Sequence, residues 1–426
     1  MTLSPGAGGG DTIPPSSGGI TLPPGVPPYY VSLFEDDFDG PAGGAPDTAT
    51  WNLAGFWYSQ YTTSSGGSDI ALPSQCTLDG NSNLVLVAAQ IPAWSGATAY
   101  AVGDCVVSAG ASYQCLVANT NELPPNATYW RPIGTTPPAW VSTTAYTVGN
   151  KVVNGGVAYS CIANNTGDAP PNATYWQTYN TWASGTMVSS LFGATPGAAV
   201  RPPFYIEYRA KMPTGAAGIW PAVWALHQSF SNTNYEELDV LEMFSSSTTG
   251  YASWHPTGSN SSSSETVHGQ FDASAAFHSY GAYVTTDTIY WYLDGEYTGL
   301  SLPTDMPLDQ FCFIIDLAVG DYGSAAGGPN NGAPDSSTPN PSIMLVDYLK
   351  VYGPPTDPTN GALAPDYVHL AGGAGPTLSG GSGAPTIAGA EGDIYFRIDT
   401  PTTAAQRVYV CTATGLAGAA TWVGIA

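Results

Sequence analysis

Apolar and polar residues alternate in short runs along most of the chain, and no long stretch has the spacing of an amphipathic helix. Residues 288–295, TIYWYLDG, show this pattern, and the tail at 392–426 returns to it after a Pro/Gly/Ala/Ser-rich stretch. Such alternation is typical of antiparallel strands with one face packed. The sequence therefore predicts an all-β protein built as a β-sandwich.

One strand-like run, YEELDVLEMF at 235–244, carries acids between its apolar residues. Because side chains alternate faces along a strand, Glu237 and Asp239 share a face while Glu242 would point the other way. One extra residue, a β-bulge, would return Glu242 to that face, and bulges often re-aim side chains beside active sites. Two carboxyl groups about 5–5.5 Å apart are the geometry of a retaining glycosidase. The three acids are the candidate catalytic group; the alternative is a solvated edge strand.

Composition and charge narrow the range of partners. The chain has 426 residues, enough for two or three domains, and its 51 Gly, 37 Pro, 12 Trp and 26 Tyr fit a turn-rich, aromatic β protein. Eight Lys and Arg against 32 Asp and Glu give a net charge of −24. Such a surface repels nucleic acid and anionic membranes, and it disfavours heavily sulfated polysaccharides. Because this charge disfavours anionic partners, we expect a neutral glycan as partner. No apolar run reaches transmembrane length.

Two copies of one sequence motif lie in the first half of the chain. Residues 92–130 align without a gap with residues 138–176, at an offset of 46. Copies of this size predict small three-stranded modules. Because aromatic faces stack on sugar rings, the repeated aromatics are candidate glycan contacts, unless they fill the small module cores. They are Trp94, Tyr113 and Trp130 in the first copy, and Trp140, Tyr159 and Trp176 in the second.

The ExDxxE order of the acids, preceded by GIWPAVWAL (218–226) and FYIEYRAKMP (204–213), resembles glycoside hydrolase family 16 in its bulged, laminarinase-like form. FIIDLAVG (313–320) and IMLVDYLKVYG (343–353) follow in family order, and the resemblance covers about 30–90 and 181–353. It implies a β-jelly-roll catalytic domain. Glu237 would then be the nucleophile, Glu242 the acid and base, and Asp239 the residue that tunes their protonation.

The same resemblance implies further site residues. Trp220 and Trp224 would line the sugar channel, with Trp220 as a core residue in the alternative. Trp254 and His255 match positions near the cleaved bond, and Arg209 would either meet the nucleophile or pair with an acid in the sheet.

Two expectations concern ions and specificity. No cofactor is implied, but many family members hold a structural calcium ion, for which Asp37 and Asp347 occupy plausible positions. Asp316 and Asp321 stand where many relatives have Asn and Gly, so the sugar-binding end of the cleft is expected to differ.

The repeats resemble the modules of carbohydrate-binding families 5 and 12, and they interrupt the hydrolase at a loop between two strands. Because loop-closure entropy grows slowly with length, we expect the modules to project from the catalytic domain as a nested pair that the enzyme does not need for folding. The tail resembles C-terminal motifs of phage tail fibres. The predicted segments are a Gly/Pro-rich arm (1–28), a discontinuous catalytic β-sandwich (29–90 plus 181–353), two modules (91–136 and 137–180), a linker (354–385) and a C-terminal β motif (386–426).

The resulting hypothesis is retaining endo-hydrolysis of a β-linked neutral polysaccharide, with β-1,3-glucan as the first choice. A virion-borne exopolysaccharide depolymerase, a transglycosylase and a non-catalytic glycan-attachment protein are the alternatives. Insoluble glycan is the expected partner of the modules, and a virion is a partner if the protein is phage-encoded. No secretory signal pattern is visible in the first residues, and the expected location is extracellular or on a virion.

Overall fold

The structure is a computed structural model. It describes residues 20–53, 69–134, 137–179, 181–189, 199–227, 236–256, 264–269, 271–303, 306–307, 310–320, 334–354, 368–369, 377–381, 385–386, 394–397, 408–413 and 421–424. Most of the predicted arm, most of the predicted linker and Asp321 lie outside these residues. Leu33–Val351 belong to one compact unit, while Leu22–Ser32 and Tyr352–Ala426 belong to a second.

The first unit is built almost entirely of strands. Before the repeats come β1 (Val31–Asp36), β2 (Asn52–Leu53), β3 (Asp69–Ala71), one turn of 3₁₀ helix (Pro73–Gln75), β4 (Cys76–Leu78) and β5 (Leu84–Gln90). The first module holds β6 (Ala99–Tyr100), β7 (Cys105–Ser108), β8 (Ala111–Cys115), β9 (Asn119–Thr120) and β10 (Trp130–Ile133). The second holds β11 (Ala145–Tyr146), β12 (Lys151–Asn154), β13 (Val157–Cys161), β14 (Asn165–Thr166) and β15 (Trp176–Thr178).

The chain then returns to what we call the main domain, the non-module part of the first unit. Its later strands are β16 (Trp182–Ser184), β17 (Thr186–Val188), β18 (Ala199–Val200), β19 (Phe204–Lys211), β20 (Ile219–His227), β21 (Glu237–Glu242), β22 (Thr249–His255), β23 (Ser264–Gly269), β24 (His278–Val284), β25 (Ile289–Leu293), β26 (Glu296–Ser301), β27 (Phe311–Val319) and β28 (Ser342–Gly353). No helix in the described part of the chain is long and apolar enough to cross a membrane.

Two sheets face each other across one core in the main domain. One runs in the order β26-β25-β24-β19-β28-β5-β16-β3, and the other in the order β2-β17-β27-β20-β21-β22-β23. Alternate residues of both sheets enter the shared core, such as Phe204 and Ile206 of the first and Val223 and Ala225 of the second. This arrangement confirms the predicted all-β sandwich, because each sheet buries the apolar side of its alternating strands.

Each module has the predicted three-stranded sheet, together with a separate two-stranded sheet, on a small aromatic core. Trp130 and Trp176, however, are only 1% and 2% exposed. Their indole nitrogens donate hydrogen bonds of 2.7 Å to the backbone oxygens of Glu122 and Asp168. The prediction that these two tryptophans bind glycan is therefore wrong: each is the centre of a core too small to be filled without it.

Tyr159 is also a buried core residue of its module, at 8% exposure, which argues against the glycan contact predicted for it. Trp94, Tyr113 and Trp140 are half-buried and lie against the module cores. These three aromatics still present part of their surface to solvent. They are the remaining glycan-binding candidates of the six.

The first module does not project from the main domain as expected. Its Ile133 shares one buried cluster with Ile70 of β3, Ile91 beside β5 and Ala183 of β16, and Val107 packs against that cluster. Since β3 ends its sheet, the module covers an apolar sheet edge. The module is inserted at a loop, but its apolar side chains pack against those of the main domain.

We expect the two modules to differ in their contribution to stability. Deleting 138–178 should leave the melting temperature nearly unchanged, because the cluster that holds Ile133 against Ala183 stays complete. Deleting 92–178 should lower it clearly, because the main-domain side of the cluster then meets water, at about 1.5–3 kcal/mol for each large side chain exposed. Calorimetry of both deletion proteins measures the two melting temperatures. Equal values would show that the first module does not stabilise the main domain.

The second unit contains a five-stranded sheet in chain order: β29 (Val368–His369), β30 (Thr377–Gly381), β31 (Ile394–Arg397), β32 (Val408–Ala413) and β33 (Thr421–Gly424). The last three strands lie in the predicted C-terminal β motif. β29 and β30 lie in the segment predicted as linker. Small residues such as those of TLSGG carry little apolar signal, so sequence composition did not reveal a strand whose stability comes from backbone pairing.

Candidate active site

The carboxylates of β21 lie on one face because the strand is bulged. Its pairing with β22 shifts register between Asp239 and Glu242, and its pairing with β20 shifts beside Trp224. The consecutive residues Val240 and Leu241 both enter the core. This extra residue turns Glu242 back to the side of the sheet opposite the core, where Glu237 and Asp239 lie, and the predicted bulge is confirmed.

Trp220 and Trp224 of β20 lie on the same side of the sheet as the acids. The Trp220 indole nitrogen donates a 3.1 Å hydrogen bond to Oε1 of Glu242. The Trp224 indole nitrogen donates a 3.1 Å hydrogen bond to Oδ1 of Asp316 on β27. Both indoles are half-buried, so each has an open part as well as a fixed orientation. The structure thus brings the two predicted tryptophans to the acids, and neither belongs to the main core.

His255, the last residue of β22, stands directly opposite Glu237 in the ladder. Its Nε2 lies 2.9 Å from Oδ2 of Asp239 and 4.0 Å from Oε1 of Glu237. The imidazole is therefore the nearest cationic group to the acids in the described structure when it is protonated. It fixes Asp239 between the two glutamates.

Burial and mutual repulsion keep protons on this group of acids. The pKa of Glu242 is raised well above its usual value by loss of water and by the charges of Asp239 and Glu237, with His255 and Trp220 acting in the opposite direction. The pKa of Asp239 is raised by burial and by the charge of Asp316. A carboxyl group that keeps its proton near neutral pH can serve as a general acid.

An aromatic shelf extends the site beyond Glu242. The rings of Trp220 and Phe244 lie 5.3 Å apart, and those of Phe244 and Tyr251 lie 5.8 Å apart. Tyr251 stands opposite Glu242 in the ladder. The sequence prediction did not include Phe244 or Tyr251. Phe244 lies only two residues past the last acid. Which face of the sheet it occupies depends on the bulge, and therefore on the structure.

Two predicted site residues lie elsewhere. Trp254 is 0% exposed and points into the main core, since it is the neighbour of His255 on the opposite face of β22. Arg209 is on β19 of the other sheet, where Nη1 lies 2.7 Å from Oδ2 of Asp347. The predicted substrate contacts of Trp254 and Arg209 are wrong. For Arg209, the alternative of an ion pair within the sheet is the one observed.

The acids predicted to hold calcium are both paired with cations. Asp347 pairs with Arg209, and Oδ1 of Asp37 lies 2.8 Å from Nζ of Lys350. Calcium prefers six to eight oxygen ligands free of such competition. These two residues therefore do not fit a calcium site between them, and a structural calcium ion bound by other groups stays a prediction.

Comparison with known proteins places this site in a class. Residues 175–306 match the model of glycosyl hydrolases family 16, and residues 93–141 match carbohydrate-binding module family 5/12. Over 152 residues the chain is 39% identical to endo-1,3-1,4-beta-glycanase ExsH of Rhizobium meliloti, covering 35% of this chain and 30% of that protein. Over 116 residues it is 31% identical to the kappa-carrageenase of Pseudoalteromonas carrageenovora, covering 22% of this chain and 29% of that protein.

Solved structures with a similar fold include the endo-beta-1,3-glucanase of Pyrococcus furiosus, at 18% identity and a TM-score of 0.47, covering 76% of this chain and 94% of that one. The laminarinase catalytic domain of Thermotoga maritima has the same identity and TM-score, and covers 77% of this chain and 99% of its own.

The segment that matches glycosyl hydrolases family 16 includes β20, β21 and β22, and so carries the acidic face and its tryptophans. The segment inserted before it matches carbohydrate-binding module family 5/12. The motif resemblance is confirmed at this level. The chain spans about 30% of the length of the curated relatives it matches.

Proposed function

We propose that this chain is a retaining endo-hydrolase of a neutral β-linked glucan. The observation that carries the proposal is the bulge of β21, which sets Glu237, Asp239 and Glu242 on one face. Trp220 orients Glu242 by a hydrogen bond, and burial among neighbouring acids keeps the proton that Glu242 must donate.

The reaction divides between the two glutamates. A carboxylate oxygen of Glu237 attacks the anomeric carbon while the bond to the leaving sugar oxygen breaks and Glu242 transfers its proton to that oxygen. The product is a glycosyl ester of Glu237. Glu242, now ionised, takes a proton from water, and the resulting hydroxide displaces Glu237 from the anomeric carbon. Asp239 holds its own proton between them, which avoids three adjacent negative charges.

Charge supports a neutral substrate. None of the eight Lys and Arg residues of the chain lies in β17, β20, β21, β22, β23 or β27, the strands that form and flank the acidic face. An anionic polymer would meet carboxyl groups there with no strand-borne cation to balance it. A β-1,3- or mixed β-1,3-1,4-linked glucan is the first choice, supported by the similarity to ExsH.

The substrate proposal is tested on a panel of laminarin, lichenan, agarose, chitin, κ-carrageenan and bacterial exopolysaccharide, with the Glu237→Gln variant as the blank. We expect soluble oligosaccharides from laminarin or lichenan, with the anomeric configuration retained in the first product by NMR. Chain-lengthened products would identify a transglycosylase, which uses the same acids. Cleavage of only an anionic polymer would refute the neutral-glucan assignment.

A second role, binding of insoluble glycan by the modules, is supported by the partly open Trp94 and Trp140. Both side chains are half-buried, so part of each ring is open to solvent. In this proposal the modules hold the main domain on its polymer, outside the cell or on a virion. Copurification of the protein with virus particles would distinguish the second location.

A further inference from the structure

Asp316 is an acid on the cleft side of the sheet for which the reaction above has no role. It lies in the middle of β27, opposite Ala222 of β20 and Thr186 of β17. Its neighbours Ile315 and Leu317 enter the main core, whereas Ile314 and Trp224 form a separate cluster on the other face. Asp316 therefore faces the same side as the catalytic acids, and it keeps 8% exposure there.

Only one of its two oxygens is engaged. Oδ1 accepts the hydrogen bond from Trp224, while Oδ2 makes no hydrogen bond to the part of the chain that the structure describes. The carboxyl group keeps some exposure on the cleft side, so its second oxygen marks a place for a ligand hydroxyl group. Directly opposite, Oγ1 of Thr186 is buried below that surface.

The surroundings of Asp316 are acidic. Asp69 on β3 and Glu237 and Asp239 on β21 interact with it electrostatically, and Cys76 on β4 lies nearby. Burial raises the pKa of Asp316 to about 8, Asp69 and Glu237 add to the increase, and the Trp224 hydrogen bond opposes it. Burial raises the pKa of the Cys76 thiol to about 12, so this thiol stays neutral. Asp316 therefore keeps its proton to a higher pH than an ordinary aspartic acid.

We propose that Asp316 is a substrate-binding residue that works as a neutral acid: Oδ1 accepts a hydrogen bond from Trp224, and the protonated Oδ2 donates one to a sugar hydroxyl group. The proposal rests on the glucan-hydrolase function proposed above. In this arrangement the hydrogen bond from Asp316 holds the sugar beside Trp224. It also accounts for a buried carboxyl group placed among other acids with no cation beside it in the described structure.

A dependence of substrate binding on pH follows. Below about pH 8 the acid donates its hydrogen bond; above it the carboxylate has no proton to give and adds a negative charge beside Glu237. We expect KM to rise about tenfold between neutral pH and about pH 9.5, since a hydrogen bond of roughly 1.4 kcal/mol corresponds to that factor. kcat should change less, because Asp316 does not contact the reacting atoms.

The test is the pH dependence of KM and kcat for wild type and three variants. Asp316→Asn keeps an acceptor for Trp224 and a donor for the sugar at every pH, so its KM should stay flat where that of wild type rises. Thr186→Val removes the buried hydroxyl group opposite Asp316, which the ligand does not contact, and should keep both the KM and the alkaline rise of wild type. Glu207→Gln removes another buried carboxyl group, held by Tyr205 and Tyr348 on the opposite sheet, and should behave as wild type.

An alkaline rise of KM that persists in Asp316→Asn overturns the proposal. If that variant does not fold, Trp224→Phe replaces it: loss of the indole donor raises the pKa of Asp316, so the rise of KM should move to higher pH, and an unmoved rise counts against the proposal. The difference infrared spectrum between wild type and the Asp316 variant should show the band of a protonated carboxyl group at pH 7 that is lost near pH 8, and its absence at pH 7 also overturns the proposal. A wild type that cleaves no polymer of the panel refutes the proposed hydrolase instead.

Discussion

Replacing Glu237 by Gln is expected to abolish glucan hydrolysis in a protein that keeps its fold. The amide has nearly the same shape as the carboxylate, but it cannot attack the anomeric carbon. The side chain lies at the open face of β21 and is outside the main core, so its loss should leave the melting temperature close to that of wild type. Reducing-end release from laminarin or lichenan, measured beside circular dichroism, gives both results.

Replacing Glu242 by Gln should reduce the rate by about 10²–10⁴-fold, the usual contribution of a general acid or base. The defect should depend on the leaving group. An aryl glucoside whose leaving group needs no proton should restore formation of the glycosyl ester. Adding azide should then restore turnover in a Glu242→Ala variant, because azide attacks the anomeric carbon without a base and displaces Glu237, giving a glycosyl azide.

Glu207→Gln is the control for the same chemical change, since Glu207 is a buried glutamate on the sheet that does not carry the site. It should retain wild-type hydrolysis of glucan. Near-normal hydrolysis in either the Glu237→Gln or the Glu242→Gln variant would overturn the assignment of roles. With azide, a Glu237→Ala variant should give a glycosyl azide of inverted anomeric configuration and the Glu242→Ala variant one of retained configuration. The reverse pair of products would exchange the two roles.

Adjacent residues Trp254 and His255 should give opposite results when each is changed. Trp254 packs in the main core and is 0% exposed, so Trp254→Ala should destabilise the protein by about 3–5 kcal/mol, the usual cost of removing a large buried aromatic. That is a large part of the roughly 5–15 kcal/mol by which proteins are stable. Thermal unfolding should therefore show a strongly lowered melting temperature.

His255→Gln should leave the melting temperature nearly unchanged and lower kcat by about 10–10²-fold, because the group that orients Asp239 is lost and small misplacements at a reacting centre cost that much. Assays at a temperature where both variants are folded separate the two effects. A stable Trp254→Ala protein with poor substrate binding would support the substrate contact predicted from the sequence and contradict the buried position.

The core of the site was predictable because it depends on local chain geometry. The alternation of β21 places Glu237 and Asp239 on one face whatever surrounds the strand. Because of the same alternation, Glu242 reaches that face only if the strand has a bulge. The two copies of the aromatic motif likewise predicted two modules, since the same spacing in sequence gives the same local structure.

Other residues were misplaced because their roles depend on which sheet, or which side of a sheet, each strand occupies. The sequence left Arg209 either beside the nucleophile or paired with an acid in the sheet, and the position of β19 in the sheet opposite the acids decides for the ion pair. Trp254 was assigned to the substrate as the neighbour of His255, although neighbours in a strand point to opposite faces. Trp130 and Trp176 carry the same aromatic signal as a sugar platform, and only the packing of a small module shows that they are its core.

The sequence by itself determined the all-β class, the bulged order of acids at 237–242 and the position of the modules in the chain, because these follow from patterns over a few residues. Only the tertiary structure decided that the first module packs against the main domain through Ile133. It alone brought Asp316, Thr186 and Trp224 together from three strands far apart in sequence. The physical reason is that burial raises the pKa of an acid, and burial is a property of the assembled sheets.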